Sequence, residues 1–167
     1  MRIRPAGPED APAVAALLAA SWQDAYAALL PAAVLDRMAE RILPEWQALL
    51  AAPPGIVLLA EKDGEPLGVA AIWLRGEEAY LDSLHVAPGG RGGGLGRHLL
   101  AAAMREAIAA GARRAALRVI EGNAGAMRFY ERLGARPVAE ETGEVAGHPV
   151  RLLRLHVDDL EALAAAG

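Results

Sequence analysis

The chain has 167 residues, 54% of them hydrophobic and 23% charged, with a net charge of −4 and no cysteine. That length favours one domain, residues 1–167, able to bury a sizeable core. The acidic balance argues against nucleic acid as the main partner, and the lack of cysteine excludes disulfides, thiolate metal sites and a Cys nucleophile.

No apolar run approaches the roughly 18 to 20 residues needed to cross a bilayer. The opening MRIRPAGPEDAPAV carries prolines and acids where a signal peptide has its apolar core. The expectation is a cytoplasmic protein that is neither exported nor inserted into a membrane.

MRIRPA alternates and reads as a first strand. Residues 8–21 carry Val14, Leu17 and Leu18 behind Pro8, Glu9 and Asp10, which suit a helix start. In SWQDAYAALLP, Trp22 and Tyr26 share one face if that helix continues. Residues 31–52 read as one or two helices divided near Pro44. The character then changes. GIVLLAEKDGEPLGVAAIW reads as a hairpin turning at Asp63-Gly64, and EEAYLDSLHVAP as a further strand ended by Pro88.

Next comes GGRGGGLG, residues 89–96, in which six of eight residues are glycine. After it, Leu95, Leu99, Met104 and Ile108 form a helical stripe that stops at Gly111. RRAALRVI is a strand. Asn123 precedes a short helix, AGAMRFYERLGA, with Gly134 at its end. ARPVAEETG and HPVRLLRLHV read as strands and DDLEALAAA as a last helix. The order β-α-α-β-β-β-α-β-α-β-β-α predicts a mixed α/β fold, with helices on both faces of one sheet.

The glycine run fits neither common nucleotide fingerprint. A dinucleotide loop needs glycines at i, i+2 and i+5, and the third position here falls on Arg97 or Leu99. A Walker A loop needs Gly-Lys-Ser/Thr, yet Lys62 is the only lysine. A kinase-type glycine lid sits in a hairpin rather than opening a helix. What remains is a strand, a glycine loop and a helix N-terminus, where free N–H groups and the helix dipole favour an anion. Arg91, Arg97, Arg113, Arg114, Arg118 and Arg128 cluster around this region, which suits a small polyanion.

The stretch Arg91-Gly92-Gly93-Gly94-Leu95-Gly96 resembles the Q/R-x-x-G-x-G/A motif of the GNAT superfamily of N-acetyltransferases. YLDSLHVAP resembles the strand before that motif, NAGAMRFYERLG the motif after it, and SWQDAYAALLP a segment of one branch of these enzymes. The matches cover most of the chain, most closely residues 79–138. The resemblance implies a central, mostly antiparallel sheet of about six to seven strands. It further implies direct transfer of an acetyl group from acetyl-CoA to an amine, with no metal.

Carried onto this chain, the resemblance gives the amides of Arg91, Gly92, Gly93, Gly94, Leu95 and Gly96 to the diphosphate, with Arg97 beside it. It gives the backbone of Leu84 and Val86, and Asn123, to the pantetheine arm. A backbone N–H at a bulge near Val86 would meet the carbonyl oxygen. Tyr130 matches the tyrosine that serves the departing thiolate. Proton transfer from a Tyr near pKa ~10 to a thiolate near ~8.5 is uphill by roughly 2 kcal/mol. Tyr130 is therefore expected to donate a hydrogen bond rather than its proton, unless its own pKa is lowered.

No motif identifies the base. Asp82, His85 and Glu61 are the candidates, with Asp82 placed first. Regular alternation puts Tyr80, Asp82 and Leu84 on one face and Leu81, Ser83 and His85 on the other, so it cannot choose. Trp22, Tyr26 and the loop around His148 are the candidate acceptor site, although the aromatics also suit a core. The acceptor is a small-molecule or protein amine, and a homodimer is compatible with the family. A non-catalytic acyl-CoA-binding module and an unrelated nucleotide-binding protein are the rivals. One departure is Ala135, which stands where the family usually has Phe.

Overall fold

A computed structural model describes all residues, 1–167. Seven strands form one sheet in the order β1-β2-β3-β4-β5-β7-β6, and every neighbouring pair is antiparallel except β4 with β5. The strands are β1 (Arg2–Pro5), β2 (Gly55–Lys62), β3 (Glu65–Arg75), β4 (Glu78–Val86), β5 (Arg114–Ile120), β6 (Arg136–Val145) and β7 (His148–Val157). The helices are α1 (Ala11–Tyr26), α2 (Ala32–Ala51), α3 (Leu95–Ala109), α4 (Ala124–Arg132) and α5 (Leu160–Ala165). The predicted order of elements holds throughout. No helix is long and apolar enough to cross a membrane.

Local chemistry explains the punctuation. The β2–β3 turn has positive φ at both Asp63 and Gly64, the conformation that an Asp-Gly hairpin turn demands. Of the two readings of residues 31–52, one helix or two divided near Pro44, the first holds: Pro44 lies inside the single helix α2. Pro44 is exposed, as is Glu40 four residues back, so the carbonyl that loses its partner can reach water. Ile42, Trp46 and Leu50 stay buried along the opposite face and hold the helix down.

Two cores sandwich the sheet. Leu17, Leu18, Trp46 and Leu50 of α1 and α2 pack on Val57, Leu59, Val69 and Ala71. On the other face Leu99, Leu100 and Met104 of α3 meet Leu58, Ile72, Leu81, Leu117 and Leu155. Burying each such side chain contributes about 1.5–3 kcal/mol. Ala135 is itself buried in this second core, so the missing Phe leaves an alanine-sized contact there.

Strand β4 departs from regular alternation, and this corrects the face assignment. Ala71 pairs with Ser83 but Ile72 pairs with Leu81, so Asp82 is an extra, bulged residue. The bulge flips the pattern: Leu81, Leu84 and Val86 all contact the α3-side core, while His85 reaches α1. The bulge expected near Val86 thus lies at Asp82. The second consequence is a wedge. Pairing of β4 with β5 stops at Leu81 and Leu117, although the strands continue to Val86 and Ile120.

Candidate active site

A cavity of about 480 Å³ fills the wedge between β4 and β5. Its walls come from β4, β5, the end of α1 and the start of α4. A second space of about 720 Å³ adjoins it at the glycine loop and shares Val86, Arg91, Gly96 and Phe129. Together they form one continuous groove from the loop to the α1 end.

The loop end is built from backbone. Gly92 and Gly94 both have positive φ, at +87° and +76°, conformations that a Cβ disfavours. Gly94 precedes α3, so the helix opens directly from the turn. The consecutive amides of Gly92, Gly93, Gly94, Leu95, Gly96 and Arg97 donate to no backbone or side-chain acceptor. Such a run of free N–H groups, closed by a helix N-terminus, is a concave anion site. A Cβ on Gly96 would meet Val86 and Phe129 only at ordinary contact distances of 3.5 and 3.9 Å, as a Gly/Ala position should.

Details of the loop differ from expectation. The Arg91 amide already donates to Pro88 at 3.4 Å, so the free set begins one residue later and ends at Arg97. The Arg91 side chain donates to the Val86 carbonyl at 3.3 Å and forms an ion pair with Asp24 of α1. Gly89 and Gly90 lie ahead of the free amides. They belong to a 3-10 turn, with Gly90 donating to Ala87 at 2.8 Å.

The arginine cluster also resolves. Arg113, Arg114 and Arg118 pair with Glu77, Glu78 and Glu141, and of the three only Arg118 also borders the wedge cavity. Arg97 and, unforeseen in the sequence, Arg132 join Arg91 around the loop space. Arg128 does not line it.

The opposite end is built from side chains. Ser21 Oγ lies 2.9 Å from His85 Nδ1, and the Trp22 ring meets the imidazole edge-on with centroids 6.2 Å apart. Burial, with a further push from Arg91, lowers the His85 pKa to about 4, so the ring is neutral near pH 7. Asp82, exposed on its bulge, lines the same cavity and accepts a hydrogen bond from Ser83 at 2.9 Å. Tyr26 lines it too, and burial raises its pKa.

Across the groove, Asn123 caps α4, its Oδ1 accepting from Ala126 N at 3.1 Å, and borders the cavity. Tyr130 faces the cavity beside Phe129, the two rings edge-to-face at 5.0 Å. Burial, helped by Tyr26, pushes the Tyr130 pKa well up. Its proton is therefore held more tightly than in a free tyrosine, not less.

The groove collects Tyr130, Asp82, His85, Tyr26, Asn123, Leu84 and Val86. It leaves out three candidates. Glu61 on β2 is held by Arg4 at 3.0 Å. Trp22 stands behind His85 and packs against the α1–α2 core and a small cluster of Leu30, Val34 and Leu35. His148 opens β7 and does not line the groove; its hairpin docks on α2 through Arg37 and the Ala146 carbonyl at 3.1 Å. Ser21 and Asp24 escaped the sequence analysis because their partners lie 64 and 67 residues away and no local pattern marks them.

A sheet splayed at its one parallel pair, with an amide cradle at the mouth, defines a groove for an extended ligand carrying an anionic group. Residues 16–135 match the acetyltransferase (GNAT) family. The chain belongs to that family.

Among curated proteins it is 32% identical over 92 residues to a Bacillus subtilis protein named as a [ribosomal protein bS18]-alanine N-acetyltransferase. The match takes in 55% of this chain and 61% of that relative's length, less than two thirds of it. The fold is similar to that of the PaiA N-acetyltransferase from Thermoplasma acidophilum, solved with coenzyme A, at a TM-score of 0.76 and 19% identity. That likeness covers 94% of this chain and 98% of that one. A GCN5-related N-acetyltransferase from Rhodopseudomonas palustris aligns at a TM-score of 0.80 and 24% identity, covering 94% of each chain.

Proposed function

We propose that the chain is an N-acetyltransferase that moves an acetyl group from acetyl-CoA to a primary amine of a small molecule or protein, in the cytoplasm. The observation that carries this reading is the run of six partnerless amides at the mouth of the wedge. A diphosphate fits that cradle, and the divergence of β4 from β5 leaves a slot where an extended arm can lie beside Leu84 and Val86.

Bound there, acetyl-CoA supplies a thioester carbonyl open to attack by an amine. The chain's own residues do the rest. Gly92 to Arg97 hold the diphosphate, and Arg97 and Arg132 add positive charge. Asn123 borders the arm. Asp82 is the carboxylate available to attract the amine and take its proton, directly or through water. Tyr130, its proton tightly held, serves the leaving sulfur as a hydrogen-bond donor.

The name of the Bacillus relative makes an α-amine of a protein N-terminus the first acceptor to try. The test is release of free CoA thiol from acetyl-CoA with a panel of amines. Amine-dependent release is the expected result. Binding of acetyl-CoA without turnover on any amine would make the chain a binding module instead.

A further inference from the structure

The Ser21–His85 pair is used by nothing in the reading above, and its protons can be assigned. Ser21 is only 2% exposed, and its hydroxyl has one partner, His85 Nδ1. It does not turn back to a carbonyl of its own helix, the usual alternative for a mid-helix serine. If Nδ1 carried the proton, the buried Ser21 hydroxyl hydrogen would be left without an acceptor. The hydroxyl therefore donates, Nδ1 accepts, and the ring proton sits on Nε2.

Nε2 has no protein partner, yet no enclosed side-chain nitrogen or oxygen of the molecule lacks one. Nε2–H thus opens on the cavity that His85 lines. A neutral ring with Nδ1 occupied and Nε2 protonated has no lone pair to offer there. It can only donate.

Resting on the acetyltransferase reading, we propose that His85 is a specificity residue rather than the base. Its Nε2–H takes a neutral carbonyl oxygen of the acceptor next to the reacting amine, and Ser21 is the positioning residue that fixes the tautomer. A carbonyl suits the site better than a carboxylate. The two arginines on the cavity wall, Arg91 and Arg118, are already paired with Asp24 and Glu141, while Asp82 adds negative charge. The preferred acceptor is therefore an α-amino amide, the chemistry of a peptide N-terminus, over a plain alkylamine.

The test compares kcat/KM for L-alaninamide and for sec-butylamine, with 15N spectra of histidine-labelled protein recorded alongside. The labelled wild type is expected to show His85 protonated at Nε2, assigned by loss of its signals in His85→Gln. The amide-to-alkylamine ratio is expected to fall about tenfold in His85→Phe, one hydrogen bond's worth, and by less in His85→Gln, whose side-chain amide can still donate. Ser21→Ala is expected to lower the ratio a few-fold and to mix the tautomers.

A ring protonated at Nδ1 would overturn the proposal without any variant. So would an unchanged ratio with kcat lost equally on both amines, the behaviour of a base. A wild type that acetylates neither amine nor any other in the panel removes the functional reading and this proposal with it. A wild type that turns over both without preference removes the proposal alone.

Discussion

The two ends of the groove are built by opposite means. At the loop end, partnerless main-chain N–H groups from Gly92 to Arg97 form the surface, and side chains are mostly absent. At the α1 end, Ser21, Asp82, His85 and Tyr26 converge from two elements, each placed by packing or by a bulge. A backbone site tolerates changes of side chain but not of φ, whereas a side-chain site depends on partners remote in sequence. Under the proposed function, one end would hold a common donor while the other is free to vary with the acceptor.

The comparison breaks most visibly in acid. His85 is neutral when folded, with its pKa moved from 6.5 to about 4, so the unfolded chain takes up the proton more readily. Stability from this group is intact above about pH 6.5 and is lost as pH falls towards 4, by on the order of 3 kcal/mol. His85→Gln should therefore lose less stability than wild type between pH 7 and 4 in denaturant melts. Equal losses would mean that the ring is not buried neutral. Asp10, held ionised by Arg4 with its pKa lowered, adds acid lability only below its ordinary value of 3.8, so the two windows separate.

Tyr130→Phe, which touches the junction of the two ends, is expected to lower kcat about 100-fold, as loss of a buried donor to developing charge does. Because its pKa is raised, no fall in rate from Tyr130 ionisation should appear up to pH ~9. A variant that kept full kcat would leave the ring as packing for α4.

Gly94→Ala forces a Cβ into a positive-φ residue without a steric clash, since the nearest atoms lie 3.5 Å away on His98. The strain of about 1–2 kcal/mol predicts roughly tenfold weaker CoA binding by calorimetry. Unaltered affinity would mean that the loop does not need its left-handed turn. The mildest change is Arg132→Ala. CoA affinity should drop a few-fold at low salt, and the gap from wild type should close as salt screens the charge. A gap indifferent to salt would point to lost packing.

Much of the fold was legible in the sequence because its signals are local. Asp63-Gly64 called the hairpin, Asn123 the start of α4, and the apolar stripe from Leu95 called α3. The loop was legible for the same reason: consecutive glycines before a helix constrain the backbone wherever the chain goes. Pro44 left one helix and two both open because part of proline's cost in a helix interior is the freed carbonyl, and whether that reaches water depends on which face is exposed.

The acceptor side was only half legible. Asp82, His85 and Tyr26 stood out by residue type, but Glu61 and His148 did so equally and lie outside the groove, Glu61 held by Arg4. Alternation failed at Asp82 because a bulge is a property of two paired strands, and one strand read alone does not reveal its register.

By itself the sequence determined the order of elements and the place of a glycine loop directly before a helix N-terminus, since those follow from φ preferences and hydrophobic period within a few residues. Only the tertiary structure decided where β4 leaves β5, which charges are already paired, and which nitrogen of His85 bears the proton. Those outcomes depend on groups dozens of residues apart, and burial sets their energies only after the sheet and helices have closed around them.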